Sequence, residues 1–189
     1  PKNADFKNTD SNEKDMIFVG FVGIKDPVRK GVRESIFKAK LAGIETKMLT
    51  GDNINTAKAV ANELGMLNDD RKVVEASYID QLSDEEIENE IKNISVVARS
   101  KPDTKMRIVK SLQNINEVVA VTGDGINDAP ALIKADVGVA MGISGTEVTK
   151  NAADIILVDD SFSTIIQAIK WGRGIYENFQ RFIQFQITV

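Results

Sequence analysis

The spacing of apolar positions changes repeatedly along the chain. Residues 1–15 are polar and aperiodic, as a mobile or linking segment would be, and no structure is expected there. Met16 to Ile24 is a short apolar run of β-branched and aromatic residues closed by Asp26-Pro27, the pattern of a buried strand. The period then lengthens. Val32, Ile36, Ala39 and Leu41 recur near every 3.6 residues with Gly43 as a stop, predicting a helix over 29–42. Ile44 to Leu49 reads as a strand, Thr50-Gly51-Asp52 as a turn, and Asn53 opens a helix reaching Leu64-Gly65. The alternation continues with a helix near 83–92, a strand at 96–98, a helix over 103–112 and a strand at 118–121. Two further apolar runs lie at 137–140 and 155–158. Strands alternating with helices predict an α/β fold, Rossmann-like, with a mainly parallel sheet covered by helices on both faces. Such folds bind ligands at the carboxyl ends of their strands.

The last segment differs. From Ser163 to Val189 runs one long helical pattern whose weak points are Gly172 and Gly174. Its final eight residues, Phe182 to Val189, carry no charge, but eight is far short of the roughly 20 apolar residues that cross a bilayer. The pattern allows two readings: a terminal helix packed on the sheet or a partner, or the opening turns of a membrane helix cut short.

Composition narrows the chemistry. The 189 residues are enough to bury one core, and 42% are hydrophobic besides 13 glycines, a globular balance. One domain, with at most an appendage, is expected. With 24 basic and 28 acidic residues the net charge is −4, which offers no field for DNA or RNA, so no nucleic-acid partner is expected. The chain contains no Cys and no His, which excludes a disulfide, a Cys/His zinc site, a Ser-His-Asp triad and an imidazole base. Chemistry must come from carboxylates, lysine, hydroxyls, backbone N–H groups or a hard metal. The start Pro1-Lys2-Asn3-Ala4-Asp5 lacks a signal-peptide core and an initiator Met, so a piece of a longer protein is expected.

Three strand ends carry candidate groups. The 118–121 strand runs into Thr122-Gly123-Asp124-Gly125-Ile126-Asn127-Asp128-Ala129-Pro130, with two carboxylates and an amide close together. The glycines allow a tight turn, and oxygen donors at a strand end suit Mg²⁺, with Asp124 the stronger ligand candidate. Asn127 and Asp128 could instead cap the next helix. Thr50-Gly51-Asp52-Asn53 places a hydroxyl, a glycine backbone and a helix start at one edge, an anion site for phosphate, although an ordinary capped turn would look the same. Arg99-Ser100-Lys101-Pro102-Asp103-Thr104-Lys105 follows a third strand, with Pro102 suited to an early helical position and Lys105 to the first turn. A lysine there is either solvated or a point charge for a phosphoryl oxygen. Together the three suit phosphoryl transfer.

At these residues the chain resembles a P-type cation-transporting ATPase in its phosphorylation domain, of haloacid dehalogenase-like type, with the wording nearest to plasma-membrane-type calcium pumps. The resemblance rests on Thr50 to Ala57, Lys105, Thr122 to Leu132, Asp26 to Arg29, Gly142 to Asp160 and Gly172 to Phe179. It implies ATP and Mg²⁺ as cofactors, with Asp124 on Mg²⁺ and Asn127 and Asp128 supporting that site. Thr50, Gly51 and Asp52 would hold the phosphoryl group and the phosphate end of ATP. Lys105 would stabilise the transferring phosphoryl, Arg99 would contact nucleotide, and Asp26 with Arg29 would lie at a hinge. It further implies a last nucleotide-domain strand within 1–25, the phosphorylation domain over 26–162 and a stalk helix over 163–189 leading to the membrane. In an intact multi-pass pump this segment would be cytoplasmic, and its partners would be the transported cation, Ca²⁺ by resemblance, and the rest of the polypeptide.

One departure matters. The family's nucleophile lies in an Asp-Lys-Thr-Gly-Thr string, and none occurs here. The sheet is therefore expected to lack its nucleophile strand, and the chain alone to form no aspartyl-phosphate. Exposed strand edges invite a homodimer or a segment swap. Two other readings stand beside the pump: a soluble phosphatase with Asp26 as nucleophile, disfavoured by Pro27 and Arg29, and a non-catalytic Mg²⁺-binding module.

Overall fold

The structure is a computed structural model that describes residues 17, 19–20, 22–23, 27–68 and 70–188. Helix α1 (Val32–Leu41) follows Gly31, whose φ of 82° is the left-handed turn that starts it. The elements after it are strand β1 (Met48–Leu49), helix α2 (Ile54–Leu64), strand β2 (Lys72–Glu75), helices α3 (Ala76–Gln81) and α4 (Asp84–Glu90), and strand β3 (Ile94–Ala98). Helix α5 (Pro102–Asn114), strand β4 (Ala120–Gly123), helix α6 (Ala129–Lys134), strand β5 (Val137–Met141), helix α7 (Glu147–Ala152), strand β6 (Ile155–Leu157) and helix α8 (Phe162–Thr188) complete the order.

The parallel strands form two sheets, ordered β1-β3-β2 and β4-β5-β6. In the first, β3 is buried at all five positions. One face packs Val97 and Ile94 on Ile79, Ile87, Ile91 and Ile108 from the α3–α5 side, and the other packs Val96 and Ala98 on Ala57 and Ala61 of α2. In the second, Gly138, Val139 and Ala140 of β5 are buried, with α6 and α7 packed on that strand. Helix α5 bridges the two halves by lying against α4 and α6.

The sheet is incomplete, as expected: among the described residues no strand pairs with the outer edge of β1 or with that of β4. Several other expectations change. Of the expected strand 16–24, residues 16, 18, 21 and 24 lie outside the described residues; the described ones are not assigned to a strand, and Ile17, Val19 and Val22 are exposed. The 44–49 strand contracts to Met48–Leu49, the only positions paired with β3. The 118–121 strand shifts to Ala120–Gly123 because its partners are Val137 to Ala140, and Val118 is left exposed. The 155–158 run loses Val158 to solvent. Lys72–Glu75, with two valines between charges, and the α3 helix after it are elements the hydrophobic pattern does not announce. The long terminal pattern is one helix without a buried residue, touching α1, where Arg173 Nη1 donates to the Ala42 carbonyl at 2.7 Å. Among the described residues no helix is long and apolar enough to cross a membrane.

Candidate functional site

The turn after β1 is hydrogen-bonded to the loop after β3, and the helix that follows β3 is paired with the loop after β4. Asn53 caps α2 by accepting from the Thr56 N–H at 3.0 Å, so Asp52 is not consumed as a cap. Thr50 Oγ1 accepts the Asp52 N–H and donates to Asp52 Oδ2, both at 3.1 Å, holding the turn in one conformation. Gly51 and Asp52 are exposed at its tip.

The loop after β3 is fastened to this turn by its backbone. Arg99 N–H donates to the Asp52 carbonyl at 2.9 Å and Ser100 N–H to the Thr50 carbonyl at 2.8 Å. Arg99 takes φ 52°, a left-handed conformation costing a β-carbon-bearing residue of order 1 kcal/mol or more, which aims both N–H groups at the neighbouring loop. Its exposed side chain lies 3.9 Å from Glu75. The hydroxyl of Ser100 is buried and has no hydrogen-bond partner among the described residues.

Pro102 occupies the first turn of α5 and leads to Lys105, whose Nζ donates to Asp128 Oδ1 at 2.6 Å. The two side chains are 14% and 15% exposed, so the pair is largely shielded from water and from salt screening. Asp128 Oδ2 accepts from the backbone N–H groups of Asp124 at 3.2 Å and Gly125 at 3.1 Å. Asp128 therefore does not cap α6. It braces the loop and steers the ammonium. Gly123 makes this possible, since a Cβ there would sit 2.4 Å from the Asp128 Cβ. With Asp128 so engaged, the exposed carboxylate of Asp124 is the hard oxygen donor at this rim, beside exposed Asn127.

No cluster of three acidic side chains able to hold a metal occurs among the described residues. That donor set fits Mg²⁺, which typically uses one or two carboxylates and completes its shell with water and substrate phosphate oxygens. The structure does not bring every candidate here. Asp26 lies outside the described residues, and Arg29 donates instead to the Asp160 carbonyl at 2.8 Å, tying the entry of α1 to the start of α8. A cleft of about 180 Å³ opens at the amino ends of β1 and β3, lined by Ile44, Glu45, Thr46 and Ser95, and holds none of the candidate residues.

The family model for haloacid dehalogenase-like hydrolases matches residues 3–136, and the loops just described fall within that span. The chain belongs to the haloacid dehalogenase-like hydrolases. Its α/β architecture is theirs: parallel strands flanked by helices. Among curated relatives, calcium-transporting ATPase 2, plasma membrane-type, of Arabidopsis thaliana is 56% identical over 172 residues, covering 90% of this chain and 17% of that protein. Calcium-transporting ATPase 10, plasma membrane-type, of Oryza sativa subsp. japonica matches with the same identity and shares. The chain thus spans under a fifth of the length of these relatives. Among solved structures, a zinc-transporting PIB-type ATPase in an E2.Pi state superposes with a TM-score of 0.64 at 30% identity, over 83% of this chain and 21% of that one. The catalytic domain of the CPx-ATPase CopB-B does so with a TM-score of 0.59, also at 30% identity, over 77% and 48%. The resemblance to P-type ATPases therefore holds in sequence and in structure.

This haloacid dehalogenase-like chain also uses residues that motif reading left without a role. Asp160, at φ 49° and 7% exposed, accepts from the N–H groups of Ile143 at 3.0 Å and Ser144 at 2.7 Å. The Ile143 bond leads in lowering its carboxyl from an ordinary 3.8 to about 2, and the Ser144 bond adds to it. Thr146, the N-cap of α7, and Thr149, in its first turn, both reach the Asp124 backbone. Gly142 and Gly145 in the sequence were the signal for a tight loop, but nothing in the pattern names its partner.

Proposed function

We propose that the chain is the cytoplasmic phosphorylation segment of a P-type ATPase that couples ATP hydrolysis to the movement of a cation, Ca²⁺ by the relatives it resembles, across a membrane. The observation that carries this is the junction of three loops: Thr50-Gly51-Asp52 fastened to Arg99-Ser100, and Lys105 fastened to Asp128 beside Asp124. In this reading Thr50, Gly51 and Asp52 hold a phosphoryl group through backbone donors and the Thr50 hydroxyl, whose proton turns from Asp52 Oδ2 to the phosphoryl oxygen when it binds. The Lys105 ammonium neutralises charge developing on its oxygens, positioned in advance by Asp128 so that little reorganisation is needed. Asp124, with Asn127 and Asp128 in support, would hold Mg²⁺, which supplies charge neutralisation and orientation of phosphate oxygens. Arg99 reaches toward nucleotide, and Asp26 with Arg29 forms the hinge.

The free outer edges of β1 and β4 support a further part of the reading. A strand carrying the Asp-Lys-Thr-Gly-Thr nucleophile, which these residues lack, would pair between them and make one seven-stranded sheet. The same edges underlie the expectation of a homodimer or segment swap when that strand is missing. Residues 163–189 serve as the stalk toward the membrane and 26–162 as the phosphorylation domain.

The test is ATP-dependent formation of an acid-stable phosphoenzyme by the full protein. Lys105→Met and Asp124→Asn are expected to lower its rate by roughly 10²–10³, with cation uptake into vesicles lost in parallel. Wild-type phosphorylation in either variant would sink the assignment.

A further inference from the structure

The backbone carbonyl of Asp124 is held twice from one side. Thr146 N–H donates to it at 3.0 Å and Thr149 Oγ1 at 3.3 Å. The hydroxyls of Thr146 and Thr149 are 2.7 Å apart. Because the Thr149 proton points at Asp124, the Thr146 hydroxyl donates to Thr149 Oγ1 while accepting the Thr149 N–H at 3.3 Å. Both hydroxyl protons are thus engaged, one on Thr149 Oγ1 and one on the Asp124 carbonyl.

The loop that presents these groups has little freedom. A Cβ on Gly145 would fall 2.0 Å from the Met141 carbonyl oxygen, and one on Gly142 would fall 2.6 Å from that of Leu157. The Asp160 carboxylate pins Ile143 and Ser144 between them. A rigid loop after β5, together with the first turn of α7, thus grips the peptide unit immediately after β4.

Thr149 is fully buried, at 0% exposure, beside a rim that is otherwise open. A valine would fill the same volume without carrying a hydroxyl into the interior. The Thr146 N–H alone satisfies the Asp124 carbonyl, so the second donor adds direction, not satisfaction. With the Asp124 N–H held by Asp128 Oδ2 at 3.2 Å, two donors converging on the carbonyl leave both peptide units flanking its Cα restrained, and so the direction of the Cα–Cβ bond.

We propose that Thr149 is a positioning residue for Asp124: its buried hydroxyl orients the Asp124 backbone so that the carboxylate points into the loop junction and binds Mg²⁺ tightly. This rests on the reading of Asp124 as the Mg²⁺ ligand, and the experiment separates the two. Mg²⁺ alone is titrated calorimetrically into the full chain carrying Thr149→Val, Thr149→Ala, Thr149→Ser or Asp124→Asn, each checked for native circular dichroism. Loss of one hydrogen bond that orients a ligand is expected to weaken Mg²⁺ binding about three- to tenfold in the Val and Ala variants. Thr149→Ser, which keeps the hydroxyl, stays within about twofold of wild type on the same basis. If Thr149→Val does not fold, the Ala and Ser pair decides alone. Wild-type affinity in the Val and Ala variants alongside a weakened Asp124→Asn overturns the role of Thr149 and leaves the metal assignment standing. Equal weakening in Ala and Ser with none in Val assigns the effect to the methyl group and also overturns it. Wild-type affinity in Asp124→Asn removes the metal assignment itself.

Discussion

Both three-stranded sheets are built of parallel strands joined by helical crossovers, yet they differ in strand order and in what fills them. Around β3 the packing is branched and aliphatic, with Ile79, Ile87, Ile91, Ile94 and Ile108 each at most 1% exposed. Around β5 it is small: Gly138 and Ala140 are buried, and a Cβ on Gly138 would lie 2.8 Å from the Leu132 carbonyl oxygen. On the edge strand β6, Ile155 and Ile156 remain about half exposed. The first sheet thus has the apolar volume that drives folding, while the second lets backbones approach closely and gives up volume to do so. The chemistry-bearing rim lies where the two join.

Their amino ends are finished differently as well. In the first sheet Lys47 is drawn inside, its Nζ donating to the carbonyls of Ile91 at 2.6 Å and Ile94 at 2.7 Å and to Glu45 at 2.6 Å. Burial holds that ammonium below its usual lysine range, and Glu45 only partly offsets it. In the second, aspartates do the work: Asp136 accepts from Val119 N–H and Asp154 from Gly138 N–H, both at 2.8 Å. Each follows an alanine and precedes a strand, so the device is repeated.

The contrast is tested most strongly by truncating the cores. Ile108→Ala, in the first half, is expected to cost about 2–5 kcal/mol in urea unfolding, against less than about 1.5 kcal/mol for the half-exposed Ile156→Ala. Equal losses would mean that the second sheet carries as much of the packing energy as the first. A smaller effect is expected at the join. Gly123→Ala places a methyl against Asp128, which must move away from the Asp124 and Gly125 N–H groups at a cost of about 1–3 kcal/mol. Thermal unfolding measures this, and an unchanged melting temperature would show that the brace yields freely.

The smallest effect concerns pH. Asp160 is near 2 when folded and 3.8 when free, so its contribution is fully present above about pH 4 and is lost as pH falls toward 2. Denaturation measured across that window in wild type and Asp160→Asn should show the variant losing less stability on acidification. Parallel curves would remove Asp160 from the account.

Much of this architecture was legible in the chain, and the failures are specific. The strand β3, the helices α2 and α5, the terminal helix and all three loops were readable because apolar period and glycine placement are local properties. Strand β2 was not, since Val73-Val74 between Lys72 and Glu75 is too short a signal, and its burial comes from β3 beside it. The shift of β4 from Val118–Val121 to Ala120–Gly123 has the same origin: register belongs to the pair, not to one strand. At the site, Lys105 and Asp128 could each be nominated, but 22 intervening residues hide their ion pair.

The sequence alone decided the chemical repertoire and most of the order of strands and helices, because composition and periodicity are carried residue by residue. With neither cysteine nor histidine, carboxylates, hydroxyls, lysine ammoniums and backbone N–H groups were what remained. Tertiary structure alone decided which donors are spent on the protein itself. Asp128 is turned inward to the loop amides and Lys105, Asp160 is locked to a neighbouring loop, and Asp124 is left facing solvent. Those assignments depend on distances between loops far apart in the chain, and the packing of α5 against α6 sets the distance between Lys105 and Asp128.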